Sequence, residues 1–98
     1  MSERDQLQVP DDAKSDPNSF EVLRVWVAHK GQHVSLRTGV WEDPAVWGIF
    51  LVDLAKHIAI AFKEEAGLDP AQTLRRIKEG FEAEWGSPTG EPQGHVKP

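Results

Sequence analysis

Residues Pro44 to Phe62 read PAVWGIFLVDLAKHIAIAF, and what this stretch becomes decides the fold. It is apolar except at Asp53, Lys56 and His57. At about 100° per residue, Trp47, Phe50, Leu51, Leu54, Ala55, Ile58 and Phe62 share one broad face, with Asp53, Lys56, His57, Lys63 and Glu64 opposite. That spacing predicts an amphipathic helix. Its polar face is imperfect, because Val46, Ile49 and Ile60 lie among the charges. Asp43 stands where a side chain accepts from the free amides of a first turn, and Pro44 at the first helical position gives up no needed donor. Ala66-Gly67 supplies a left-handed stop.

A stretch of this kind is close to the ~20 residues that cross a bilayer. Asp53 and Lys56 fall at its middle, where each costs about 2.5–3.5 kcal/mol on insertion scales. Glu42, Asp43, Glu64 and Glu65 flank it without a basic anchor. The expectation is therefore a soluble helix and no membrane partner.

Working outward, Asp69-Pro70-Ala71-Gln72 repeats the opening device, with Gln72 in the capping-box position. The helix it opens carries a narrow stripe of Leu74, Ile77, Phe81 and Trp85 and is stopped by Gly86. Arg75 to Glu79 and Lys78 to Glu82 are spaced for solvent-side pairs worth ~0.2–0.5 kcal/mol each. The two Asp-Pro-Ala starts lead into unlike sequences, so they are capping chemistry and not an internal repeat.

On the other side, Phe20 to Val40 alternates apolar and polar residues, the period of a β-hairpin. Leu23, Val25 and Val27 line one face of the first strand, and Val34, Leu36, Thr38 and Val40 that of the second. A two-residue loop at Gly31-Gln32 places Gly first, as a type II′ turn requires. That register pairs Leu23 with Val40, Val25 with Thr38, Val27 with Leu36 and His29 with Val34; a loop at Lys30-Gly31 also preserves the pattern. The predicted fold is α+β: a β-hairpin followed by a long and a shorter helix (ββαα), the helices packed on the sheet.

The chain has 98 residues, enough for one domain. Residues 1–19 and 86–98 are poor in apolar residues and rich in Pro, Gly and Asp, so they are expected to be disordered around a compact domain at 20–85. A domain that small buries only ~60% of its unfolded surface and is marginal alone. There is no Cys to staple it, which fits a reducing compartment. MSERDQLQ shows no signal-peptide pattern, so a cytoplasmic location is expected. Sixteen acidic residues against 11 basic ones give a net charge of −5, and Arg75-Arg76-Ile77-Lys78 is interleaved with Glu79, Glu82 and Glu84. A nucleic-acid partner needs a basic footprint, and none is visible.

Few residues suggest chemistry. His29 and His33 flank the hairpin turn, point to opposite faces in the favoured register, and are too few to hold a metal. No metal or other cofactor is expected. Asp53 and His57 are four apart on the long helix, where a carboxylate can orient an imidazole as a general base. No convincing nucleophile stands near them in sequence, and a plain polar-face pair beside Lys56 explains the spacing equally. There is no phosphate-cradling loop, zinc spacing or nucleophile elbow. Gly48 inside a helix costs ~1 kcal/mol against Ala, and close approach of another element is its usual reason.

The four Trp divide. Trp47 and Trp85 lie on core stripes. Trp26 belongs to the outer face of the hairpin with Phe20, Val22, Ala28 and Trp41, beside Arg24 and Arg37. Trp with Arg is typical of binding hot spots, and Trp26 opposite Arg37 allows a cation–π contact. The plainer explanation is that the shorter helix covers this face. Both readings stand at this point.

Glu21-Val22-Leu23-Arg24, Asp43-Pro44-Ala45-Val46-Trp47-Gly48 with Leu51-Val52-Asp53-Leu54-Ala55-Lys56-His57, and Glu84-Trp85 resemble a short family of alphaproteobacterial proteins known as a domain of unknown function (5076). The resemblance spans Phe20 to Trp85. It implies a bacterial source and transfers no site.

The functional expectation is a small cytoplasmic protein-interaction module, self-associating as a homodimer or bound to another protein, and not an enzyme. A hairpin leaves both edges unpaired, its outer face is half apolar, and Val46, Ile49 and Ile60 need cover; two hairpins meeting edge to edge or face to face would supply it. A chaperone-like or regulatory subunit belongs to the same class. The alternative is a small enzyme or ligand-binding protein using Asp53 and His57.

Overall fold

The computed structural model describes residues 5–88 and 93–97. In chain order they form α1 (Asp11–Ser15), β1 (Leu23–Ala28), β2 (Gly31–Arg37), α2 (Pro44–Ala66), α3 (Pro70–Gly86) and β3 (Gln93–Lys97). The expected ββαα order is present. Two further elements, α1 and β3, lie in the stretches whose composition sets them outside the domain. Those expectations also cover residues 1–4, 89–92 and 98, which lie outside the described residues.

Both long helices begin as the sequence dictates. Asp43 is extended and its Oδ1 accepts from the Ala45 amide at 3.0 Å. Asp69 does the same for the Gln72 amide at 3.2 Å, and the Thr73 hydroxyl donates to the Asp69 carbonyl. α2 ends at Gly67, whose φ of 69° is left-handed and whose amide donates to the Lys63 carbonyl. α3 runs through Gly86 and is capped at Ser87. On its solvent side Lys78 meets Glu82 as expected, whereas Glu79 is paired with Arg76 instead of Arg75.

The hairpin differs in register. Leu23 pairs with Leu36, Val25 with Val34, Trp26 with His33 and Ala28 with Gly31, and the Arg37 amide extends the ladder to the Val22 carbonyl. The turn is His29-Lys30, with φ of 51° and 63°, the left-handed pair of a type I′ turn. It is not Gly31-Gln32. Leu23 thus meets a residue four positions nearer the turn than expected. Because four is even, every side chain keeps its predicted face. β3 then lies parallel to β2, pairing His33 with Gln93 and Arg37 with Lys97, in a sheet ordered β1-β2-β3. β2 is therefore central, and β1 presents an outer edge.

The packing of helices on the sheet, expected from the sequence, is absent among the described residues. The sheet pairs within itself, and α2 packs only on α3. Ala59, 1% exposed, is the one buried hydrophobic residue among those described. Of the predicted core face of α2, Trp47, Phe50 and Ala55 are half-buried while Leu51, Leu54, Ile58 and Phe62 are exposed. The cause is geometric: α3 covers only the side of α2 that carries Ala59, and the broad apolar face looks elsewhere. The radius of gyration is 15.7 Å, against about 13 Å for a compact chain of this length.

Candidate functional site

The hairpin surface singled out by sequence divides in the structure. Val22, Arg24, Trp26 and Arg37 do share one face, because Arg24 pairs with Ser35, Trp26 with His33, and Arg37 lies opposite Val22. Glu21 organises its polar side. Its carboxylate accepts from Arg24 Nη2 at 2.6 Å, and its carbonyl accepts from Arg37 Nε at 3.0 Å. The Glu21 hydrogen bond and then its charge raise the Arg24 pKa above the ordinary guanidinium value. Arg37 also lies over the Phe20 ring, 5.4 Å from its centroid. This is the cation–π contact of the hairpin; the partner is Phe20 and not Trp26, because the observed register sets Trp26 across from His33. Phe20, Arg37, Gly39 and Val40 line a shallow groove there. With α3 packed on α2, the shorter helix does not cover this face.

Trp41 belongs elsewhere. It meets the Trp47 ring edge-on at 4.8 Å and the Phe50 ring at 5.9 Å, tying the segment before α2 to its first two turns. Trp47 and Phe50 complete the triangle. Trp85, assigned to a core stripe by its spacing, is 78% exposed and stacks on Phe81 at 5.5 Å. Phe81 and Trp85 are one helical turn apart, so the contact was legible as an i, i+4 pair. What the spacing could not show is that α2 does not reach it.

Asp53 and His57 are both exposed and make no hydrogen bond or ion pair with each other. His29 and His33 do not converge: His29 is in the turn, and His33 Nε2 lies 3.1 Å from the Ala28 carbonyl. Among the described residues no group of three or more His, Asp or Glu gathers as a metal site. A second groove, of about 400 Å³, lies at the α2–α3 connection among Phe62, Leu68, Gln72 and Ile77. Three of its polar side chains are engaged: Asp69 caps α3, the Thr73 hydroxyl donates to the Asp69 carbonyl, and Arg76 pairs with Glu79.

Much of the exposed surface of α2 is apolar. Leu51, Leu54, Ile58 and Phe62 line α2 on one side, Ile49 and Ile60 on the other, and Phe81 and Trp85 extend the surface onto α3. By length and composition α2 could cross a membrane, with a mean hydropathy of 1.7 over its most apolar window. A Cβ added at Gly48 would meet nothing within 4 Å, so the close approach expected there is not made among the described residues.

Residues 6–89 match the family model of the Domain of unknown function (DUF5076). The chain belongs to this family. The match is wider than the 20–85 span expected to be compact. No curated protein is significantly similar to the chain. A solved structure of "a putative pyruvate dehydrogenase from the photosynthetic bacterium Rhodopseudomonas palustrus CGA009" is 35% identical, covers 93% of each chain and superposes with a TM-score of 0.72.

Proposed function

We propose that this DUF5076 chain is a small cytoplasmic interaction module whose α2 surface is covered by another polypeptide. One observation carries the reading: a 23-residue helix, apolar around most of its circumference, has only Ala59 buried. An exposed contiguous apolar surface of this kind marks an interaction site in a soluble protein. The hairpin face of Val22, Arg24, Trp26 and Arg37 is a second, smaller contact, with Trp26 as its aromatic anchor and the arginines fixed in place by Glu21. Trp41 supports the first surface instead, by bracing the start of α2.

An enzymatic reading, including the dehydrogenase name borne by the neighbour from Rhodopseudomonas, has less to rest on. Asp53 and His57 are separate and exposed, and the groove of about 400 Å³ lies beside the capping residues of α3. Fractionation of a native lysate tests the proposal. The chain should run in a soluble assembly heavier than its own 11.0 kDa, and Leu54→Glu should release it. A chain running at its own mass, or sedimenting with membranes, would overturn the reading.

A further inference from the structure

We infer that the polypeptide covering α2 is a second copy of this chain, and that the two copies join through α2 and α3 into a four-helix assembly with the two-fold axis passing near Leu54 and Ala55. The inference rests on the interaction-module reading and names its partner.

The area comes first. A folded monomer of 11.0 kDa exposes about 5,600 Å², whereas this chain exposes 9026 Å². Part of the excess belongs to the extended terminal segments. The remainder suits an obligate homodimer, whose interface removes about 1,000–2,500 Å² from each partner. Those interfaces resemble a domain core cut in half, which describes α2 and α3 well. Half a core is present here, and its other half is missing.

The second observation is the shape of the helix pair. Leu74 and Ile77 of α3 are half-buried near the connection, where Ala59 is sealed. Farther along, Phe81 is half exposed and Trp85 mostly exposed, and Gly48 on α2 faces open space. On a helical wheel Gly48, Ala55 and Ala59 share the side of α2 that α3 covers. The pair is therefore closed at Gly67 and open at the other end. Small residues line one wall of the opening and two stacked aromatic rings the other. Phe81 and Trp85 are left exposed there, and the apolar face of a second copy would cover them.

The third is self-complementarity. A two-fold contact requires that residue i meets j while j meets i. Read in both directions from the Leu54–Ala55 midpoint, α2 sets Leu54 against Ala55, Leu51 against Ile58, and Trp47 against Phe62, all on one face of the helix. Each pairing in an antiparallel α2–α2 contact is thus apolar with apolar, with large residues meeting large ones at Leu51–Ile58 and Trp47–Phe62. A membrane would need none of this matching, and it would have to take Asp53, Lys56 and His57 into its core.

The absence of Cys makes a direct test possible. A residue beside a two-fold axis lies beside its own symmetry mate. Purified Leu54→Cys should become a covalent dimer under mild oxidation, while Lys14→Cys on α1 should stay a single chain. Unmodified protein at tens of micromolar should sediment at twice 11.0 kDa, and Leu54→Glu should weaken the association at least 100-fold with its helical circular dichroism retained. Purified protein that sediments as a monomer would overturn the inference. So would a dimer in which Leu54→Cys fails to cross-link, or partition of the chain into phosphatidylcholine vesicles. A monomer in purified form that is nevertheless part of a heavier soluble assembly in the lysate would sink the second copy and leave the interaction module standing.

Discussion

Between α2 and α3 the chain reverses through Gly67 at φ 69°, and between β1 and β2 through His29 and Lys30 at φ 51° and 63°. Both connections need left-handed backbone. The helical one puts glycine there, at no steric cost; the hairpin puts two side chains there, at a cost of about 1–3 kcal/mol each. The helix connection is thus specified by its own residues. The hairpin turn is specified from outside, by Leu23–Leu36 and Val25–Val34 pairing on either flank. A turn can be where it is because its residues want it, or because the strands leave it nowhere else.

This contrast can be broken by substitution, with stability read from urea unfolding at one fixed protein concentration, since association adds to apparent stability. The largest effect should come from Ala59→Leu, which forces extra methylenes into the sealed α2–α3 contact and should cost about 1–3 kcal/mol. A neutral result would mean that this contact does not organise the helices. Gly67→Ala should cost about 1–2 kcal/mol, from the left-handed penalty alone, as a Cβ there meets no neighbour. Asp69→Ala, leaving the Gln72 amide without its acceptor, should cost about 1 kcal/mol, and Asn at that position should restore most of it. The smallest effect has the opposite sign: Lys30→Gly should stabilise by about 0.5–1 kcal/mol by relieving one left-handed side chain. If Lys30→Gly and Gly67→Ala both lose stability, the hairpin does not turn at His29-Lys30 and the contrast fails.

The same contrast explains what could be read from the sequence. Helix starts at Asp43-Pro44 and Asp69-Pro70 and the stop at Gly67 were legible, because each is local chemistry between a side chain or a glycine and the backbone beside it. The register was not. Gly31 is the better turn former by composition, but the alternation of Leu23, Val25 and Val27 with Val34 and Leu36 is satisfied by either turn, and long-range pairing chose between them. That choice moved the cation–π contact from Trp26 to Phe20, so the candidate face was found while its internal partners were not. Helix-on-sheet packing was misread for a related reason. The hairpin and both long helices each have an apolar face, and periodicity says that a face needs cover without saying by what. Trp85 shows the limit clearly: its stripe is correct, yet it stays 78% exposed, with Phe81 of its own helix stacked on it.

β3 has a consequence in time as well as in space. It pairs with β2 in parallel, so the chain must pass through both helices before returning alongside His33 to Arg37. Closing so long a loop costs chain entropy before the strand pairing rewards it. The hairpin and the helix pair can each form from neighbouring residues, within microseconds once synthesised. The third strand cannot join until Gln93 to Lys97 have been made. During synthesis on the ribosome, the far edge of β2 therefore stays open after the hairpin and both long helices are complete, and in that interval a nascent chain is exposed to pairing with the wrong strand.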